Sequence, residues 1–341
     1  MDYLEAAGSE LTDPITRLLR DTETDNTSLI LSIIEGGGTN RRLKGYLFGI
    51  AVFHADKAVA EKAMELLQKH CSADTQKQAT KLRESSRYHH NEAEYLVKYH
   101  NPEFDLLDFL LAYKMVGWHR VGRGRSDYFV TAHQTLNLAH FTEDVLSSAL
   151  ENLDFVRFIT LPASKSFDLA ASFGPMSKLP LECIYIEGVR MDEFPVLLFQ
   201  HPKIKTLSIK RGAYRPRHAM TLPEGVSYGC TTLEKLIIDG YPLAGEDRFG
   251  DFPNLTEAFL QRCNLEDIGF LKTAKKLEHL NIKFNQLEYL PAFLSELTEL
   301  RSIALNGNPF KKIEINIEPL IKLEDFELKI QNKPYGHFRW Y

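Results

Sequence analysis

The sequence is short of sulfur, of surplus positive charge and of long apolar runs, and each shortage removes a class of function. Its four cysteines, Cys71, Cys183, Cys230 and Cys263, are scattered through 341 residues without a CxxC pair. Neither a disulfide framework nor a cysteine zinc site is therefore expected. No apolar run approaches the ~20 residues that a membrane helix needs. Lys and Arg number 41 against 46 Asp and Glu, a formal charge of -5. General binding to DNA or to an anionic membrane requires a net basic surface, so neither is an expected partner. The first residues, MDYLEAAGSELTDP, are acidic and have no apolar core. They predict no secretory signal and a cytoplasmic setting with reduced thiols.

Catalytic signatures are missing as well. There is no G-x-S-x-G nucleophile elbow, no H-E-x-x-H and no convincing Cys/His pairing. The histidine-rich stretch YHHNEAEYLVKYH would put His90 and Glu94 on one helix face, which gives two ligands at most. GGGTNRRLKG offers Thr39 as a helix cap beside Arg41 and Arg42, but it is not a P-loop and no strand precedes it. No catalytic residue, cofactor or metal is expected.

What the sequence does contain is a repeat. LEHLNIKFNQL places Leu277, Leu280, Ile282, Asn285 and Leu287 at intervals that suit neither a helix nor a plain strand. The pattern returns as Leu300, Ile303, Leu305 and Asn308, and as Leu255, Ala258, Leu260, Cys263 and Leu265. Looser copies begin at Leu181, Ile204, Leu233 and Leu323, and faint ones at Phe155 and His133. Start-to-start spacings are 22, 26, 23, 29, 22, 22, 23 and 23 residues. These residues resemble the leucine-rich repeat family, and LEYLPAFLSELTEL resembles its bacterial variety.

The resemblance implies an α/β solenoid of about 8–9 repeats, preceded by an all-helical domain. Domains are expected at 1–126 and 127–341. In each repeat, positions 4 and 6 lie on a short strand and point inward, because side chains alternate along a strand. The asparagine at position 9 bonds backbone groups at the turn. No unit buries its own apolar face, so neighbours must stack.

Residues 10–118 carry helical periodicity. Leu43, Tyr46, Leu47 and Ile50 form one stripe, and Ala60, Ala63, Met64 and Leu67 another. Asp13-Pro14 and Asn101-Pro102 are predicted helix starts. DKAVAEKAMELLQKH weakly resembles a HEAT helix. Thr142 is expected to cap a short helix, TEDVLSSALENL.

Binding residues are sought at strand positions that alternate with the core. The position-5 column runs Asn137, Ile159, Tyr185, Ser208, Ile237, Phe259, Asn281, Ala304, Glu327. Ile159, Tyr185, Ile237 and Phe259 are large and apolar where a solvated face favours polar residues. Residues 201–220 add Lys203, Lys205, Lys210, Arg211, Arg215 and Arg217 without an acid, a patch suited to an acidic segment or a phosphate, or else a solvated loop balanced by Glu182 and Glu187. The expected function is a non-catalytic module that binds an unidentified protein or peptide on the concave face of the solenoid through Ile159, Tyr185, Ile237, Phe259, Lys210 and Arg211. The competing expectation gives the helical domain an enzymatic or nucleotide-dependent activity, with the solenoid as its specificity arm.

Overall fold

The computed structural model of the chain describes residues 12–85, 101–121, 127–139, 141, 143–162, 164, 166–188, 191–212, 219–224, 228–311 and 318–327. The chain divides into two compact units. One spans 1–157 and 174–180; the other spans 158–173 and 181–341.

The first unit is helical. Helix α1 covers 12–19. It is followed by α2 (Thr27–Gly37), α3 (Arg41–Phe53), α4 (Lys57–His70), α5 (Ala73–Ser85), α6 (Leu106–Val121) and α7 (Asp127–Gln134), then the short strand β1 (Thr135–Asn137). The predicted stripe Leu43, Tyr46, Leu47 and Ile50 is wholly buried. Helix α3 packs against α6 through two glycines one turn apart. A Cβ on Gly45 would lie 3.1 Å from the Phe109 backbone nitrogen, and one on Gly49 would lie 2.7 Å from Ala112 Cβ. The absence of side chains there lets the two helices approach closely, and Phe48 meets Phe109 edge-on at 5.6 Å.

Two helix expectations are corrected. The helix predicted from Asn101-Pro102 begins at Leu106, where Asp105 Oδ1 accepts from the Leu107 amide at 2.8 Å. Asp105 is the better cap because its carboxylate meets the free amides of the first turn directly. The helix predicted from Thr142 is a single 3-10 turn, Ser148–Asn152, capped by Ser147.

The second unit is a ladder of parallel strands: β2 (Phe158–Thr160), β3 (Cys183–Glu187), β4 (Thr206–Lys210), β6 (Lys235–Asp239), β8 (Glu257–Gln261), β9 (His279–Asn281), β10 (Ser302–Ala304) and β11 (Asp325–Glu327), paired in that order. The numbers missing from the ladder belong to a small second sheet, β5 (Met220–Thr221) with β7 (Leu243–Ala244). Among the described residues helix α8 (Leu169–Ser177) is the one α-helix between these strands, and it holds Pro175. Most return limbs are 3-10 turns, such as Ala292–Glu296.

In-register pairing aligns Ile184, Leu207, Leu236, Ala258, Leu280 and Ile303 as one buried row. The turn after the strands holds the amide ladder that the spacing predicts. Asn285 Oδ1 accepts from the amides of Cys263 (2.9 Å) and Leu265 (3.2 Å), and its Nδ2 donates to the carbonyls of Leu260 (2.7 Å) and Ile282 (2.9 Å). Asn308 repeats the arrangement one unit on, with Leu287, Ile282 and Leu305. Cys263 fills the same slot with sulfur, which donates to Ile238 and Gln261 carbonyls at 3.2 Å each. Phe194, Phe199, Phe249, Phe252 and Phe270 pack ring to ring along the return limbs, a spine that no fixed sequence offset announces.

Candidate binding face of the strand ladder

The register puts Thr160, Tyr185, Ser208, Ile237, Phe259, Asn281, Ala304 and Glu327 in one row on the face opposite the buried one. Tyr185 is 37% exposed. Ile237 and Phe259 are half-buried. Ser208, between Tyr185 and Ile237, is closed over, with 3% of its surface accessible. The row therefore runs large, small, large, large across β3, β4, β6 and β8. Lys235 Nζ stands 5.1 Å above the Phe259 ring and pairs with Glu257, so one face of that ring is already held. Burial beside Cys183 pushes the Tyr185 hydroxyl up to about 12, which leaves it a hydrogen-bond donor at any ordinary pH.

Ile159 is corrected. It pairs with Ile184 in the core row and none of its surface is accessible. The repeat frame there begins at Val156, not Phe155: Val156, Ile159 and Leu161 are the buried set, and Thr160 takes the outward place. Both frames of FVRFITL are apolar, and a slip of one residue exchanges the two faces of a strand.

Lys210 ends β4 and is exposed. It lies in register between Glu187 and Asp239. Arg211 lies along Gly240, whose φ of +79° and missing Cβ leave room for the guanidinium chain. Lys205 is held by Glu182 at 3.6 Å, and Arg262 takes Asp239 at 3.3 Å. Arg215 and Arg217 lie outside the described residues, as do His90 and Glu94.

A second feature at this edge has no signal in the sequence. Arg262 and Phe284 occupy the left-handed turn position, with φ of +54° and +58°, where Gly240 and Gly307 stand in neighbouring repeats. A non-glycine residue there costs about 1–2 kcal/mol. Phe284 is nonetheless 43% exposed, with its ring against Gly307 and the Arg262 guanidinium 4.9 Å away.

In the helical unit, one grouping imitates a catalytic set. Thr27 Oγ1 lies 2.9 Å from His54 Nε2, and Asp25 Oδ2 lies 3.2 Å from the same nitrogen. The Asp56 amide donates to His54 Nδ1 at 3.1 Å, so the ring proton sits on Nε2, and the Thr27 hydroxyl donates to Asp25 at 2.6 Å. No base is left to activate Thr27, and the group ties a helix start to a helix end. Arg42, considered for anion binding, is instead 3.2 Å from buried Asp108, and Asn40 rather than Thr39 caps α3 through the Leu43 amide. Cys71 lies beside Glu103, and burial pushes its thiol up to about 12, away from reactivity. Among the described residues no cluster of three or more His, Cys, Asp or Glu could hold a metal, and no helix is long and apolar enough to cross a membrane.

Asp108 is the one buried acid with a large upward shift among the described residues. Burial raises its carboxyl to about 7, against the opposing pull of Arg42. The folded state binds this proton more tightly than the unfolded chain does. Its contribution is present below the ordinary carboxyl range and is lost as pH rises through about 7. Asp108→Asn is therefore expected to remove part of the fall in melting temperature between pH 5 and pH 8. Parallel melting curves of the wild type and the variant at both pH values check this, and an unchanged difference would refute the shift.

A parallel strand ladder, its apolar row and the buried asparagine ladder define the class: the second unit is a leucine-rich repeat solenoid. No family model matches the sequence, and no curated protein does. Solved structures do. The leucine-rich repeat domain of the type III effector XopL is 15% identical with a TM-score of 0.40, over 74% of this chain and 93% of that one. An internalin, InlF of Listeria monocytogenes, is 15% identical at 0.26, over 55% and 72%. TLR13, solved with ssRNA13, is 17% identical at 0.40, over 58% and 33%.

Proposed function

We propose that this protein is a non-catalytic binding module, and that the solenoid takes a protein partner on the concave face of its strand ladder. The reading rests on one observation. Tyr185, Ile237 and Phe259 keep apolar surface accessible in a single row, where solvated strands favour polar side chains. Strand-borne side chains are rigidly placed, so a partner meets a preorganised surface and ordering costs little. Aromatic anchors in such a row are the usual seats of binding energy. Among the described residues the helical unit offers no comparable grouping: Thr27, Arg42 and Cys71 are each committed to structure.

The test is capture from the lysate of the native cell, with the wild type and the Tyr185→Ala/Phe259→Ala variant compared by mass spectrometry. A protein held at least tenfold more strongly by the wild type, with melting temperatures within about 2 °C, is the expected result. Equal capture would refute the reading. A large fall in the variant's melting temperature would instead mark these side chains as core.

A further inference from the structure

Salt bridges between repeats use nearly every cation that borders the strands. Lys205 reaches Glu182, Lys235 reaches Glu257, Arg262 reaches Asp239, Lys283 reaches Glu327, and Arg301 reaches both Glu278 and Glu324. Lys210 and Arg211 differ: among the described residues neither has a carboxylate within 4 Å. Glu187 and Asp239 flank Lys210 in register, but Asp239 is engaged by Arg262. Arg211 is not loose, because its chain lies against Gly240. Two adjacent cations, one of them fixed in place, thus stand outside any ion pair, with Glu187 as the one uncommitted carboxylate in register beside them, in a protein of net charge -5. They sit at the end of the strand whose small Ser208 interrupts the apolar row between Tyr185 and Ile237.

From this arrangement we infer that the partner segment is an extended, acidic peptide. An apolar side chain packs over Ser208 against Tyr185 and Ile237, and an acidic residue two positions away meets Lys210 and Arg211. The inference rests on the concave-face reading given above and adds the chemistry of the occupant. The spacing agrees. Ser208 and Lys210 are two residues apart on one strand, about 7 Å, and side chains two apart on an extended peptide span the same distance. A carboxylate between an ammonium and a guanidinium forms charge-assisted hydrogen bonds, roughly twice as strong as neutral ones.

The probes are two pools of nine-residue synthetic peptides. Each carries phenylalanine at the fourth position, glutamate or glutamine at the sixth, and random residues elsewhere. The full-length chain is immobilised, and retention is read for the wild type, Lys210→Glu/Arg211→Glu and Tyr185→Ala/Phe259→Ala. The wild type should retain the glutamate pool at least tenfold over the glutamine pool. Charge reversal should erase that preference, and the alanine variant should lose both pools. If the wild type holds the pools equally and the alanine variant loses both, the acidic inference falls and the concave-face reading stands. If the glutamate preference survives in the alanine variant, the cations bind anions indiscriminately and the inference falls. Retention of neither pool also overturns it. Melting curves of both variants establish that they fold.

Discussion

Asn285→Leu is expected to destabilise the repeat unit by about 4 kcal/mol or more, a loss rarely reached by one substitution. Leucine keeps the branch at Cγ that asparagine has, is somewhat larger, and offers no hydrogen bonds. The amides of Cys263 and Leu265 and the carbonyls of Leu260 and Ile282 would each lose their side-chain partner in a dry interior. Each buried group left unpaired costs about 1–3 kcal/mol. An alanine would leave a space that water enters, so leucine is the stricter test. The check is the midpoint of urea unfolding of the variant against the wild type. A loss below about 1 kcal/mol would mean that the asparagine ladder does not hold the turns.

Leu280→Ala is the companion prediction. Leu280 lies in the middle of the buried row, in register with Ala258 on one side and Ile303 on the other. Truncation removes transferred area and leaves a cavity that flanking strands, fixed by their ladders, cannot fill. The expected cost is about 2–5 kcal/mol. The neighbouring Ala258 shows that the row tolerates a small residue where the sequence packs around it. A small residue imposed on Leu280 has no such compensation. Urea unfolding reads this variant too, and a cost under about 1 kcal/mol would remove Leu280 from the core.

These two residues also show what the sequence could and could not reveal. In the repeats from Leu255 to Asn308 the core residues and the turn asparagine or cysteine recur at one spacing, and the outward strand positions are mostly polar, Phe259 being the large apolar exception. There the pattern alone places every side chain on its face. At FVRFITL the signal fails because both faces are apolar, and Ile159 is assigned outward when it is buried. The phenylalanine spine lies in return limbs of varying length, so no period marks it. The 3-10 turn at Ser148–Asn152 reads as a helix because its amphipathic spacing suits both conformations, and packing decides between them. The strained Phe284 is invisible because a left-handed φ is a property of the turn, which elsewhere takes glycine.

The binding face was legible in part. Tyr185, Ile237 and Phe259 follow from alternation once the register is known. The unpaired state of Lys210 and Arg211 does not, because it depends on which carboxylates the neighbouring repeats spend on other cations. The buried acid Asp108 is likewise silent in sequence: nothing in its spacing marks it for burial, and the close approach of α3 through Gly45 encloses it.

The most direct test of the proposed binding face is amide hydrogen exchange of the full chain, alone and with the protein that the wild type captures. The account predicts new protection in β3, β4, β6 and β8, centred on Tyr185, Ile237 and Phe259, with the helical unit unchanged. Protection confined to the helical unit, or to the return limbs between Phe194 and Phe270, would contradict it.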